Sequence, residues 1–358
     1  MTDARPLPAL TTASDRWLRR FLGAPGVLLD LFEPRPTHPP AGALTPDEVL
    51  DDVRRTARWP EAQLALEPDL HYHRADGEVL AYQVRRSTAF AIGGLNSEAP
   101  TRLLSSFASA ARARGTRRLL VFPVRASERA AVHAAGFSTV QVGVEGWLPL
   151  AELSFRGRRY ESVRQMRNRA RRRGVRCEEV DPTCHAMELA GIHASWLAGK
   201  RPSWRMKLLV GSPGLERPFD RRYFVALGPD RVEGFVTVLP GGEGRFGVDV
   251  MCRRPDAIPG TMERILVHVA ETLRAEGARE LSLGACPMAG VPRQGDRRLL
   301  RAIFHALYSW PLGNQIFGFR NLHRFKEKFR PRWEPVHFAA SQLGPLELYL
   351  GCRMWGLY

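Results

Sequence analysis

Two short stretches bring together residue types that can do chemistry. In DVMCRRPDAIPGTM (249–262) the carboxylates Asp249 and Asp256 stand either side of Arg253. In RFKEKFRPRWEPVHF (324–338) Lys326, Glu327 and Lys328 lie between Phe325 and Trp333, with Arg320 shortly upstream. A fixed carboxylate can hold an ammonium group through charge-assisted hydrogen bonds. Fixed lysine and arginine cations can meet phosphate oxygens, or the negative charge that develops on a carbonyl oxygen during acyl transfer. Aromatic faces can stack a nucleobase. Each side chain also has a plainer use: Asp249 in a turn or surface ion pair, the lysines on a solvated face, the rings in a packed core. Lys326 and Lys328 would share a face on a strand but diverge by about 200° on a helix. His193, His305, His323 and His337 are candidate bases, yet none has a carboxylate at a recognisable spacing, so none is assigned.

The elements that must position these residues are marked by turn and cap signals. Residues 1–44 form a Pro-rich arm interrupted by a partly apolar segment from Trp17 to Phe32. Thr45-Pro46-Asp47-Glu48 is a helix start. Strands follow around the Asp76-Gly77 turn, then the apolar strand ending in AFAIGG (89–94) and a glycine-bearing loop. A helix face of Leu103, Phe107, Ala110 and Ala111 is closed by Gly115 and leads into the buried strand RRLLVFPV (117–124) and the helix ERAAVHAAGF. The order recurs. A helix over 183–198 precedes strands either side of Gly228-Pro229-Asp230, the strand RFGVDVM (245–251), and a helix with Met262, Ile265, Leu266, Val269 and Leu273 inward. ARARGTRRLLVFP (111–123) and LRAEGARELSLGACP (273–287) occupy the same place in each half, a helix stopped by glycine and followed by a strand.

Between the halves, RGRRYESVRQMRNRARRRG sets Arg164, Arg167 and Arg171 at helical spacing. They form a cationic ridge suited to a nucleic-acid backbone or anionic headgroups, or a solvated linker helix. The expected domains are 45–154 and 179–358, joined by this basic helix over 155–178. A mixed sheet flanked by helices, with a loop leading into a helix N-terminus, is the layout of the GCN5-related N-acetyltransferase fold. The expectation is therefore α/β (α+β), with two such domains in tandem. In that fold the loop amides hold a cofactor pyrophosphate. GGLNSEAPT and RRPDAIPGT lack the usual glycine pattern and put acidic side chains and prolines there. Acetyl-CoA is disfavoured, and no cofactor is expected.

Composition adds bounds. A formal net charge of +16 and a pI near 10.5 in 358 residues point to a polyanionic partner, nucleic acid or an anionic membrane surface, without choosing between them. Only Lys200, Lys207, Lys326 and Lys328 are lysines, so nearly all the positive charge is arginine. No apolar run approaches the ~20 residues that span a bilayer, and MTDARPLPAL is not a secretory leader. The expected location is the cytoplasm, peripheral to the inner membrane face. Five scattered cysteines with no CxxC pair imply free thiols and no metal site.

The landmarks AIGGLNSEA (91–99), VGVEGWLPLAELSFRGRRYESVRQMRNRARRRG (142–174), HASWLAGK (193–200), the Asp249 segment, LSLGACPM (281–288) and LHRFKEKFRPRWEP (322–335) fall in a characteristic order. In that order they resemble the catalytic region of the multiple peptide resistance factor family, the phosphatidylglycerol lysyl- and alanyltransferases. The resemblance implies an active site in the second of two tandem domains. It implies transfer of an amino acid from aminoacyl-tRNA to a lipid hydroxyl of the phosphatidylglycerol type, with Asp249, Arg253, Lys326 and Lys328 as catalytic residues. Asp256, Gly284, Pro287, Arg320, Phe325, Glu327 and Trp333 would bind substrate, and Arg164, Arg167 and Arg171 would meet tRNA or an anionic surface. The chain departs from the family pattern at Cys252, where an arginine is common, and at Asn321, where a glycine is usual. Those departures leave two alternatives open: a non-lipid acceptor such as a peptidoglycan precursor, or a tRNA- or membrane-binding module without catalysis.

Overall fold

A computed structural model describes residues 44–198, 212–293, 298–309 and 318–354. Most of the Pro-rich arm, together with Lys200 and Lys207, lies outside the described residues. Helix α1 (Pro46–Thr56) begins as its sequence predicts: Thr45 and Glu48 form a reciprocal capping box, with the Glu48 carboxylate accepting from the Thr45 amide at 2.7 Å. The hairpin β1 (His71–Ala75) and β2 (Glu78–Arg85) turns at Asp76-Gly77. The sequence then runs through β3 (Thr88–Ile92), α2 (Pro100–Ala113), β4 (Arg118–Arg125), α3 (Arg129–Ala134) and β5 (Ser138–Pro149). The basic stretch is helical over α4 (Glu161–Arg172) and ends in an edge strand, β6 (Arg176–Val180). After α5 (Ala186–Ala198) come β7 (Arg222–Leu227), β8 (Val232–Pro240), β9 (Arg245–Arg253), α6 (Thr261–Ala275) and β10 (Glu280–Pro287). Helices α7 (Arg298–Ser309) and α8 (Phe319–Glu327), strand β11 (Arg332–Ala340) and helix α9 (Pro345–Met354) complete the described chain.

The internal repeat is visible in the pairing. β3 and β4 are parallel and joined through α2, and β9 and β10 are parallel and joined through α6. The strands form one sheet of eleven, in the order β1-β2-β3-β4-β11-β5-β10-β9-β8-β7-β6. At its centre the halves exchange strands. β11 inserts between β4 and β5, while β5 pairs with β10 of the second half. The two exchanged strands pair with each other from Arg332↔Trp147 to Ala340↔Ser138. This mixed α/β architecture, a GNAT-like layout met twice, is the predicted fold class, with a continuous sheet the sequence did not announce. The terminal helix also departs from expectation. It falls within the expected second domain, 179–358, but Leu346, Leu350 and Met354 pack with Phe90, Ile92 and Leu120 of the first half. The cause is the exchange: once β11 lies beside β4, the residues that follow it emerge over the first half.

Apolar residues close both faces. Leu103, Leu104 and Phe107 of α2 cover one face of the first half, and Ile265, Leu266, Val269 and Leu273 of α6 cover the second. Val163 and Ala170 of α4 pack into that same second-half core, leaving the arginine side of α4 outward. No helix among the described residues is long and apolar enough to cross a membrane.

Candidate active site

β9 and β10 pair only at Arg245–Gly247 with Glu280–Ser282. Beyond that point β9 stays with β8 as far as Arg253, and β10 stays with β5 as far as Pro287. Two neighbouring parallel strands that part in mid-sheet leave a wedge whose walls are backbone.

Lys326, on α8, reaches into this wedge. Its ammonium donates to the carbonyls of Gly284 and Ala285, each at 3.0 Å. A Cβ on Gly284 would lie 3.4 Å from both Lys326 Nζ and the Val248 carbonyl oxygen. The ammonium is therefore lodged beside Gly284, close to where β9 faces β10. The side chain is 4% exposed, and burial pulls its pKa below the usual lysine range, opposed by the nearby Cys286 thiol. Among the described residues its side-chain hydrogen bonds use two of three N–H donors, which leaves one for an oxygen entering the wedge.

Asp249 lies on the opposite wall. β9 bulges there, so that Asp249 and Val250 both stand against Thr237 of β8. The Thr237 hydroxyl donates to Asp249 Oδ2 at 3.3 Å and accepts from the Val250 amide at 2.9 Å. Arg221 Nη2 sits 3.1 Å from the same carboxylate oxygen and 3.2 Å from Glu67, a residue of the first half. The pair is unequal. Burial raises the Asp249 pKa, and the Arg221 cation only partly offsets this. Burial also opposes the Arg221 charge, but two carboxylates outweigh it and hold the guanidinium firmly protonated. Sequence reasoning missed Arg221, Glu67 and Thr237. Arg221 left one signal, as the first of two arginines ahead of the apolar run YFVAL.

The remaining predicted residues divide. Lys328, at the C-terminal cap of α8, diverges from Lys326 as a helix requires and pairs with Glu263 at 2.9 Å. Glu327 accepts from the Trp333 indole at 2.7 Å, and Trp333 lies against His323 with ring centroids 4.7 Å apart. Phe325 packs edge-to-face on the fully buried Phe329 in the α6 core. These contacts brace α8, and so brace Lys326. Arg320 opens α8 near Tyr308, and Pro287 ends β10 opposite Gly143. Arg253 is exposed at the end of β9, while the preceding Cys252 is buried against Leu189 and Ile192 of α5. Asp256 is exposed and paired with Arg231 at 2.9 Å, which holds its carboxyl below the usual range. On α4, Arg164 turns back to the Gly157 carbonyl and Arg167 lies 3.4 Å from Glu271, whereas Arg171 is exposed beside Arg169, Arg172 and Arg173.

The loops ahead of α2 and α6, where an acetyltransferase would hold pyrophosphate, use their amides internally. Glu78 of β2 accepts from the Glu98 amide at 2.8 Å, and Glu233 of β8 accepts from the Ile258 amide at 3.0 Å. No group of three or more His, Cys, Asp or Glu able to hold a metal occurs among the described residues.

Comparison with known proteins bears on this geometry. The sequence pattern of the family described as "Phosphatidylglycerol lysyltransferase, C-terminal" matches residues 52–340. A phosphatidylglycerol lysyltransferase of Bacillus subtilis (strain 168) is 22% identical over 239 residues, covering 62% of this chain and 26% of that protein. The chain thus spans about a quarter of that curated relative. The crystal structure of the C-terminal domain of a putative lysylphosphatidylglycerol synthetase from Agrobacterium fabrum superposes with a TM-score of 0.70 at 21% identity, covering 87% of this chain and 97% of that one. The structure of L-PGS from Bacillus licheniformis gives 0.70 at 17% identity, covering 86% and 97%.

Proposed function

We propose, from the premise that this chain belongs to the phosphatidylglycerol lysyltransferase C-terminal family, that it transfers an amino acid from aminoacyl-tRNA to a hydroxyl of an anionic phospholipid of the phosphatidylglycerol type. The observation that carries the reading is the family match across residues 52–340, which takes in both walls of the wedge and Lys326. In the reaction an acceptor hydroxyl attacks the ester carbonyl that joins the amino acid to the terminal ribose. A bond forms from acceptor oxygen to carbonyl carbon, the bond to the ribose oxygen breaks, and the hydroxyl proton passes to the departing ribose oxygen.

Lys326 is suited to the oxygen that becomes negative in between. Its ammonium is already desolvated and fixed by two carbonyls, so little reorganisation is needed when charge develops. Asp249 is suited to the ammonium of the amino acid. A carboxylate whose pKa is raised by burial gains from a second cation, and Arg221 alone does not fully compensate it. The exposed arginines at the C-terminal end of α4 offer the surface for the tRNA backbone. Location at the inner membrane face follows from the acceptor.

The test is transfer of radiolabel from charged tRNAs to the chloroform phase, using the purified chain and bacterial lipids, with and without ribonuclease. Ribonuclease-sensitive transfer identifies donor and acceptor class together. Intact charged tRNA with no label in lipid defeats the lipid acceptor. Label recovered instead in a peptidoglycan precursor would assign the other acceptor.

A further inference from the structure

The two carbonyls that hold Lys326 face the wedge because β10 carries an extra residue. Ser282 pairs with Trp147 and Ala285 with Glu145, so Leu283 and Gly284 together stand opposite the single Gly146. Gly284 takes φ +80°, a conformation that glycine adopts without strain. Its amide donates to the Ser282 hydroxyl at 2.8 Å, a bond that closes the bulge on itself. The Ser282 hydroxyl donates in turn to Oε1 of Glu145 on β5, the strand lent by the first half. Oε2 of Glu145 accepts from Nη1 of Arg125 on β4, and Nη2 of Arg125 donates to Glu61 at 2.6 Å. The Arg125 guanidinium also lies 4.6 Å from the ring of Trp59 and 5.4 Å from that of Trp147.

None of Ser282, Glu145 and Arg125 is more than 3% exposed. Burying an ion pair this deeply is a poor source of stability, because desolvation offsets the attraction. What it does supply is direction. The Ser282 hydroxyl has one proton to give. With Glu145 as its acceptor, its lone pairs are turned toward the Gly284 amide. The chain of bonds then runs Arg125, Glu145, Ser282, Gly284 amide, and from the carbonyls of Gly284 and Ala285 to Lys326.

We propose that Ser282, set by Glu145 and Arg125 across the junction of the halves, is a positioning residue that fixes the β10 bulge and thereby seats the Lys326 ammonium in the wedge. It deepens, and rests on, the reading of Lys326 as the group that meets the reacting ester. The experiment is read first without catalysis. The chain has only four lysines, and Lys326 and Lys328 lie two residues apart on one peptide. The Lys328 side chain is 35% exposed and serves as internal reference. Brief acylation with an amine reagent, read by mass spectrometry, should label Lys328 and spare Lys326 in the wild-type chain. Ser282→Ala should raise the Lys326 to Lys328 labelling ratio about tenfold or more, as local opening of the bulge exposes the amine. It should also lower kcat for transfer with KM for charged tRNA little changed. Ser282→Thr, which keeps the hydroxyl, should restore both. An unchanged ratio in folded Ser282→Ala overturns the proposal. If that variant does not fold, Glu145→Gln carries the same ratio test, with the same two outcomes. If the wild-type chain transfers nothing, the functional reading fails, while the labelling ratio still decides whether Ser282 seats Lys326.

Discussion

β3 with β4 in the first half, and β9 with β10 in the second, are one parallel strand pair met twice. The first pair stays in register from Thr88↔Arg118 to Ile92↔Phe122. The second parts after Gly247 and Ser282. The loops that follow β3 and β9 are alike, each with a carboxylate from the hairpin partner, Glu78 or Glu233, bound to loop amides. An anion site at the helix N-terminus therefore does not distinguish the halves, because the chain's own carboxylates engage both loops. The distinction is the parted strands. In the first half the loop is tied down: Asn96 accepts from the amides of Arg58 and Trp59 at 2.9 and 3.1 Å and donates to the Gly93 carbonyl at 2.7 Å. In the second half a glycine bulge and a buried lysine stand at the parting point. On the proposed reading, one fold serves once as scaffold and once as site.

The largest effect should come from Lys326. Lys326→Met should lower transfer by about 10³-fold while leaving thermal stability equal or higher, since a desolvated charge is removed. Its counterpart is Asn96→Ala in the first half, which should cost about 2 kcal/mol of stability in a urea titration and leave kcat within about twofold. A large loss of kcat from Asn96→Ala in chain that remains folded would break the division into scaffold and site. Asp249→Asn should follow, with about a 10²-fold loss in kcat/KM that weakens if the amino acid offered lacks a free α-ammonium. A loss independent of that group would reassign Asp249 to bracing Arg221. Gly284→Ala places a methyl at φ +80°, 3.4 Å from Lys326 Nζ, and should cost about tenfold in kcat together with about 1 kcal/mol of stability.

Much of this was legible in the residues. Gly77, Gly115 and Gly277 mark the ends of their elements, and Thr45 with Glu48 marks a start, because those signals are local. The strand exchange was not legible. β5 and β11 are both long and half apolar, and periodicity along a strand says nothing about its neighbour. The depth of Lys326 was hidden for a related reason. RFKEKFR reads as a solvated charged run, and what buries one lysine and leaves its neighbour near the surface is a pair of carbonyls on β10, distant in sequence. Asp249 stands out by its motif, but its partner Arg221, and Glu67 of the other half that shares that guanidinium, lie far from it in sequence. The aromatic run misled in part. Phe325 is a candidate for stacking a base, but its place on α8 turns it toward the core, against Phe329 in the turn beyond the helix.

The exchanged strand makes the junction sensitive to acid. Burial and the nearby Arg129 cation push the pKa of His337 on β11 from 6.5 down to about 4, with Arg301 and His133 adding to the effect and a backbone bond at Val124 opposing it. The unfolded chain takes up this proton below about pH 6.5 and the folded chain does not. The stabilisation is therefore complete above that value and is lost as pH falls toward 4, by roughly 3 kcal/mol at most. Urea midpoints at pH 7 and pH 4.5 should differ less for His337→Gln than for the wild-type chain. Equal pH dependence would mean that other groups, not this strand, set the acid limit.

The smallest effect concerns the outward arginine face of α4. Arg171 and Arg172 are exposed at the end of α4, where two of the three arginines of the expected ridge are already engaged with the Gly157 carbonyl and Glu271. If this end of the helix carries the tRNA backbone, charge reversal at Arg171 and Arg172 removes phosphate contacts without touching the wedge. The expected result is a several-fold rise in KM for charged tRNA, about tenfold at low salt, with kcat unchanged. The slope of log KM against log salt should flatten by roughly one for each lost contact. Lipid-bound label per turnover should stay as it was, since the acceptor meets other surfaces. A double variant that instead loses vesicle binding and keeps its KM for tRNA would transfer the arginine end of α4 from the donor to the membrane.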